Sequence, residues 1–235
     1  APREIMRDKY LIIDMLYRFI YSFHMGLFFF LAGLTFGIIN ISKSTTDIII
    51  KKVKTLLIPW IAFSIFIYVF ILGINQFPYI QNIVVNTDFK IVTFPNYLKL
   101  SFLAQNPYAF HLWFLLVLFI VQIIFLIYDN MFTDKNNVIA FLMIIFCVFI
   151  LLKDPKIIII KYIFEYLFYY LLGYFYIKNK KVESFLNKYK YFGLLGTIVY
   201  SIIKSLQYNH FFIDIINMIL ITPLMITFII YVSKK

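Results

Sequence analysis

Residues 19–39, FIYSFHMGLFFFLAGLTFGII, contain no Asp, Glu, Lys or Arg. At 1.5 Å per residue such a run makes a helix about 31 Å long, enough to cross a bilayer's hydrocarbon core. An open sheet of strands this apolar is excluded, because lipid leaves unpaired backbone groups unsatisfied. Working outward, six more segments approach spanning length: 56–74, 110–128, 138–152, 157–177, 191–206 and 212–231. The segment Val138–Leu152 is the shortest. The sequence therefore predicts an all-α fold, a polytopic integral membrane helix bundle of about seven transmembrane helices, with residues 1–235 as one domain.

Composition agrees. The chain is 63% hydrophobic and 14% charged, whereas a soluble domain carries about 25% charged residues. A net charge of +11 would suggest nucleic acid in a polar protein, but here the Lys residues flank apolar runs, where they set membrane orientation. Nucleic-acid binding is excluded on that placement. The single cysteine, Cys147, lies inside an apolar run. That excludes a disulfide framework, and three scattered His predict no metal site.

Orientation follows from the basic connections. Residues 40–55 hold Lys43, Lys51, Lys52 and Lys54; residues 178–190 hold Lys178, Lys180, Lys181, Lys188 and Lys190; the chain ends Lys234-Lys235. With seven spans these regions share one side, the cytoplasmic one by the positive-inside rule. The 75–109 connection falls on the other side. It is long and carries Pro78, Pro95 and Pro107, so it reads as a folded lid or interfacial segment. The chain opens Ala1-Pro2-Arg3, and the expectation is an N-terminally incomplete, multi-pass protein of a bacterial plasma membrane.

Several residues could carry chemistry. His24 sits inside the first apolar run, and an imidazole in a bilayer helix is a functional candidate. Its neutral form can act as a general base near pH 7; a boundary histidine bonded to a neighbouring helix is the other reading. Gly33 and Gly37 form a small-xxx-small pair that admits a close helix neighbour. Lys51, Lys52 and Lys54 either hold phosphates or anchor the helix in the interface. His111 opens the third span beside Trp113, on the same expected side as His24. Glu165 is the acidic residue well inside a span. Lys161, one turn earlier, could pair with it, as structural glue or in a proton path. His210 and Asp214 are also one turn apart, either an imidazole–carboxylate pair or a solvated helix end.

Four stretches together resemble a known family. Phe23-His24-Met25-Gly26-Leu27-Phe28-Phe29-Phe30-Leu31-Ala32-Gly33 is similar to the FHMPLFFFLSG stretch of the acyltransferase-3 membrane family, particularly its branch similar to fucose O-acetylases. Leu56-Leu57-Ile58-Pro59-Trp60 resembles that family's basic RLLIPY segment, His111-Leu112-Trp113-Phe114-Leu115 its HLWFL element, and Tyr169-Tyr170-Leu171-Leu172-Gly173-Tyr174 its F-x-x-G-Y helix. The resemblance implies transfer of an acyl group, usually acetyl, from cytosolic acyl-CoA as donor substrate, with no bound cofactor. The implied acceptor is a hydroxyl of an envelope polysaccharide or lipid-linked sugar.

On that resemblance Lys51, Lys52 and Lys54 would approach the CoA phosphates, and the membrane-embedded His24 and His111 would be catalytic; Glu165 joins them as a catalytic candidate from its own place inside a span. Departures stand beside it. The family's first helix, with its Arg and His, is expected to precede this chain. Gly26 replaces the usual Pro, Ala32 the usual Ser, and Lys the phosphate-matched Arg fork. The alternatives are a non-catalytic transporter or flippase component, a polytopic structural or interaction protein whose polar residues are helix glue, and an inactive fragment or relative of the family; an oligomer is compatible with each. A transporter should show paired helices interrupted at the midplane, and only Pro223 falls within a predicted span.

Overall fold

The computed structural model describes residues 11–38, 44–74, 76, 93–106, 111–131, 158–206, 208 and 210–234, and these are helical with short connections and no strand among them. The helices are α1 (Leu11–Ile38), α2 (Thr45–Lys52), α3 (Ile58–Ile74), α4 (Phe94–Phe102), α5 (Trp113–Met131), α6 (Ile158–Lys178), α7 (Lys180–Ser205), α8 (Phe211–Ile216) and α9 (Thr222–Ser233). A π-turn, Val53–Leu57, joins α2 to α3; a second, Asn217–Ile221, joins α8 to α9. The all-helical membrane fold expected from the sequence is what forms. Four helical runs are long and apolar enough to cross a membrane: Ile12–Ile38, Thr45–Gly73, Ile158–Lys178 and Phe211–Ser233. Trp113–Asp129 is apolar but shorter, and the expected span 138–152, with Cys147, lies outside the described residues.

Three expected boundaries move, each for a local reason. The first helix already includes Leu11–Arg18, ahead of residue 19, and its two charges there neutralise each other: Arg18 Nε lies 2.7 Å from Asp14 Oδ2, one turn apart. The expected 40–55 loop is helical from Thr45. Ser44 caps it, accepting from the Asp47 N–H at 3.2 Å and bonding the Asp47 carboxylate at 3.0 Å, a variant of the capping box. The expected basic loop 178–190 is also helical apart from Asn179, whose side chain accepts from the Lys181 N–H at 2.9 Å and so starts α7.

Both π-turns immediately precede an X-Pro step. A proline ring inside a helix collides with the carbonyl four residues back and offers no N–H. The wider turn accommodates this: Ile58 N–H bonds Val53 O and Thr222 N–H bonds Asn217 O, each five residues back. Because α2 lengthens the helix, Pro59 is not at the start of a span, as expected, but halfway along a helical run.

The chain divides into two compact units, Ala1–Asn40 with Phe168–Lys235, and Ile41–Leu167. In the first, α7 and α9 pack along each other and both pack on α1. Glycines set the approach. A Cβ on Gly33 would lie 1.8 Å from Tyr170 O, and one on Gly173 would lie 2.0 Å from Phe30 O, so α1 crosses α6 at backbone contact. A Cβ on Gly193 would fall 2.2 Å from Met225 N. Gly193, Thr197, Ser201 and Ser205 form a buried stripe at four-residue spacing, and Thr197 and Ser201 each donate to the carbonyl one turn back at 2.7 Å. Small and self-satisfied residues are what let membrane helices pack without a hydrophobic driving force.

In the second unit α5 packs on the 53–57 π-turn, and α4 packs on α3 and α5. Here aromatic rings make the contacts. Trp60 meets Phe102 edge-on at 4.7 Å, and Tyr68 lies 5.0 Å from both Phe94 and Tyr97. The described part of the 75–109 connection is thus a folded helix, with Pro95 in its first turn, where the missing N–H costs nothing. Burial pushes the Tyr97 phenol above its ordinary value, outweighing its hydrogen bonds with Asn106 and Ser101.

Candidate functional site

His111 and Glu165 both belong to the second unit. His111 is exposed and its carbonyl accepts from the Phe114 N–H at 3.4 Å, opening the first turn of α5. Two residues on, the Trp113 indole stacks on Tyr162, with ring centroids 4.4 Å apart and planes at 29°, and on Tyr166 at 5.4 Å and 28°. Glu165 lies between those two tyrosines on α6 and is half-buried. The Trp113 stack therefore sets the His111-Leu112-Trp113 segment against the turn of α6 that carries Glu165.

Lys161 lies one turn before Glu165 on α6 and is half-buried like it; elsewhere Arg18 pairs with Asp14 and Lys204 with Asp214.

The lysines sit on the helical run that becomes α3. Lys51 and Lys54 are exposed and Lys52 is half-buried. At about 100° per residue Lys51 and Lys54 lie about 60° apart on one face, and Lys52 lies about 100° to the other side of Lys51. Within the same unit three buried polar groups have no hydrogen-bond partner among the described residues: Trp60 Nε1, Ser64 Oγ and Gln122 Oε1.

His24 belongs to the first unit. It is half-buried, with its ring edge-on to Tyr21 at 4.5 Å, and Tyr21 stacks on Tyr17 at 4.0 Å. Helical spacing puts His24 about 160° around α1 from Gly26 and about 200° from Ser22. The Ser22–Gly26 face makes the packing contacts: Ser22 O accepts from the Thr222 hydroxyl at 3.2 Å. A Cβ on Gly26 would come within 3.1 Å of Thr222 Cγ2 and 3.3 Å of the Tyr169 ring, which accounts for glycine where the resembling family usually carries proline. The small-xxx-small expectation also holds, for Gly33 meets Tyr170 and Gly37 meets Tyr174.

Sequence reasoning missed two polar clusters. One is the Asp14–Arg18 pair, signalled by opposite charges at i,i+4. The other holds Asp214, which binds Lys204 Nζ at 2.7 Å and the Tyr200 hydroxyl at 3.0 Å. His210, the partner weighed for Asp214, instead stacks with Tyr208 and Phe212 at 6.2 and 5.6 Å. Tyr200 and Lys204 are also one turn apart, and a long cation buried on α7 was the signal for a carboxylate opposite it.

Tyr169 shows how the family-like segments interlock. In a regular helix Met218 O would accept from Thr222 N–H, which here bonds Asn217, and Pro223 has no N–H to offer. The Tyr169 hydroxyl donates to that carbonyl at 3.1 Å. The FHMG…G33 and YYLLGY stretches thus meet through Gly33, Gly173, Gly26 and Tyr169.

Among the described residues no group of three His, Cys, Asp or Glu is arranged to hold a metal ion. Neither a curated protein nor a solved structure matches the chain. A family model described as an acyltransferase domain matches residues 4–235. The chain belongs to the acyltransferase-3 family of membrane acyltransferases.

Proposed function

We propose that the protein is an O-acyltransferase that moves an acyl group, most simply acetyl, from cytosolic acyl-CoA to a hydroxyl of an envelope polysaccharide or lipid-linked sugar. The observation that carries this reading is the family match over residues 4–235. In the reaction the thioester C–S bond breaks and an ester C–O bond forms. The acceptor hydroxyl gives its proton to a base, and the departing CoA sulfur takes one up. Neutral imidazole suits the first task near pH 7, which assigns His24 and His111. Glu165, in the turn of α6 that Trp113 holds, completes the proton path, and Lys51, Lys52 and Lys54 serve the CoA phosphates as point charges.

Membranes containing the protein, given labelled acetyl-CoA, should place label on glycan. His24→Ala and His111→Ala should each reduce that label by about 100-fold or more, the usual weight of a general base, with the protein still inserted. Wild-type labelling in either variant removes that histidine from the site.

Glycolipid transport is the second reading, favoured by Pro59 and Pro223 each interrupting a helical run. Transporter helices break and unwind at the midplane, whereas both π-turns here keep i→i−5 hydrogen bonds. The first also adjoins Lys51, Lys52 and Lys54, which belong to an interface. Movement of unmodified glycolipid without labelled product would favour transport.

A further inference from the structure

α7 has 26 residues and so is about 39 Å long. Its uncharged stretch, 191–203, covers only about 20 Å, short of a hydrocarbon core of about 30 Å. α7 is not among the runs apolar enough to cross a membrane by themselves, and a core bounded by Lys204 reaches back about 20 residues to Phe185. The side chains there suit lipid: Phe185, Tyr191 and Phe192 are 52%, 54% and 65% exposed. Tyr189 links Phe185 and Phe192, with centroids 5.1 and 6.2 Å away.

This length mismatch puts Lys188 and Lys190 about one turn inside that limit, where long cations bury their stems and lift their heads toward water. Both sit by aromatic rings, as cations in low dielectric do: Lys190 Nζ lies 3.5 Å from the Tyr231 centroid and Lys188 Nζ 5.2 Å from that of Tyr189. Lys178, at the end of α6, and Lys180 and Lys181, in the first turn of α7, are exposed. Lys234, three residues beyond Tyr231, is exposed at the same end. Against five lysines between 178 and 190 the stretch has one acid, Glu183, a net charge of +4 (5 − 1).

We propose that this aromatic and lysine collar, where α6 passes into α7, is a docking surface for anionic phospholipid. Charge complementarity selects the occupant. A zwitterionic headgroup presents an ammonium along with its phosphate to a net +4 band; a phosphatidylglycerol headgroup presents the phosphate alone. Clustered lysines beside a spanning helix attract anionic lipid in this way.

The test uses the full chain, purified in neutral detergent and titrated with phosphatidylglycerol or phosphatidylcholine, with bound lipid counted by native mass spectrometry. The expected result is about tenfold preference for phosphatidylglycerol. That preference should vanish when Lys178, Lys180, Lys181, Lys188 and Lys190 are all changed to Gln, and persist when all five are changed to Arg. It should also persist in the Lys51→Gln, Lys52→Gln, Lys54→Gln variant. Equal retention of both lipids overturns the proposal, as does loss of preference in the Arg variant or in the 51–54 variant alone. Displacement of phosphatidylglycerol by free coenzyme A would also overturn it, marking a soluble-phosphate site instead.

Discussion

Where α1 meets α6 in the first unit, Gly33 and Gly173 let backbone touch backbone. Where α5 meets α6 in the second, Trp113 lies on Tyr162 with centroids 4.4 Å apart and keeps the helices a ring's thickness away from each other. Glycine contacts leave no tolerance, since any added atom meets a peptide group. Aromatic contacts tolerate adjustment, because rings slide and tilt at small cost. The second unit also holds the buried groups Trp60 Nε1, Ser64 Oγ and Gln122 Oε1, which lack partners among the described residues. Both units bury polar groups, the first at Asn217 Oδ1 as well, so what separates them is how their helices touch: through glycine in one and through rings in the other.

The sharpest way to break that contrast is a methyl group. Gly33→Ala brings a Cβ to 1.8 Å from Tyr170 O, while Gly73→Ala, in the second unit, meets nothing within 4 Å. Overpacking against backbone costs about 3 kcal/mol or more. An open helical glycine changed to alanine gains up to about 1 kcal/mol. Thermal unfolding in detergent should therefore drop markedly for Gly33→Ala and hold or rise for Gly73→Ala. Equal, small shifts would mean that the first unit is not packed at backbone contact.

A smaller effect sharpens the other half. Trp113→Ala removes both ring contacts from the Glu165 turn and should cost about 3 kcal/mol of stability. Acyl transfer should fall at least tenfold, because the HLW segment loses its placement. Trp113→Phe keeps a ring to stack and should retain most of the transfer activity. If Ala and Phe variants transfer equally well, the stack positions nothing and only His111 itself matters.

How much of this the sequence disclosed depends on the range of the interaction. The helices were legible because hydropathy is a local property, and the Gly33–Gly37 contact because small residues at four-residue spacing have one purpose in a membrane helix. Boundaries moved where short-range polar chemistry outweighed composition: Asp14 neutralising Arg18, Ser44 capping α2, Asn179 starting α7. Partners were the illegible part. Helical spacing put His210 beside Asp214, yet Asp214 takes Lys204 from a different helix. Only the fold decides which of several reachable charges is met. The Trp113 stack was hidden for the same reason, as 49 residues separate it from Tyr162.

The smallest expected effect concerns the end of α4. Ala104 has φ 58°, the left-handed region that costs an L-residue about 1–2 kcal/mol. It is held there by two bonds: Gln105 N–H to Leu100 O at 2.9 Å and Ala104 N–H to Ser101 O at 3.2 Å. This is the Schellman ending of a helix, usually built with glycine at the left-handed position. Ala104→Gly removes the steric cost but restores chain entropy of about 0.4–1 kcal/mol to the unfolded state. The net gain should be about 0.5 kcal/mol, read as a rise of a degree or two in the unfolding midpoint. Because α4 packs through the Trp60–Phe102 and Tyr68–Tyr97 rings and not through backbone, easing its end should leave transfer activity unchanged. A fall in activity with a rise in midpoint would mean that the strained turn itself positions Asn106 or its neighbours for the reaction. The ring-packed unit would then be less tolerant than its contacts suggest.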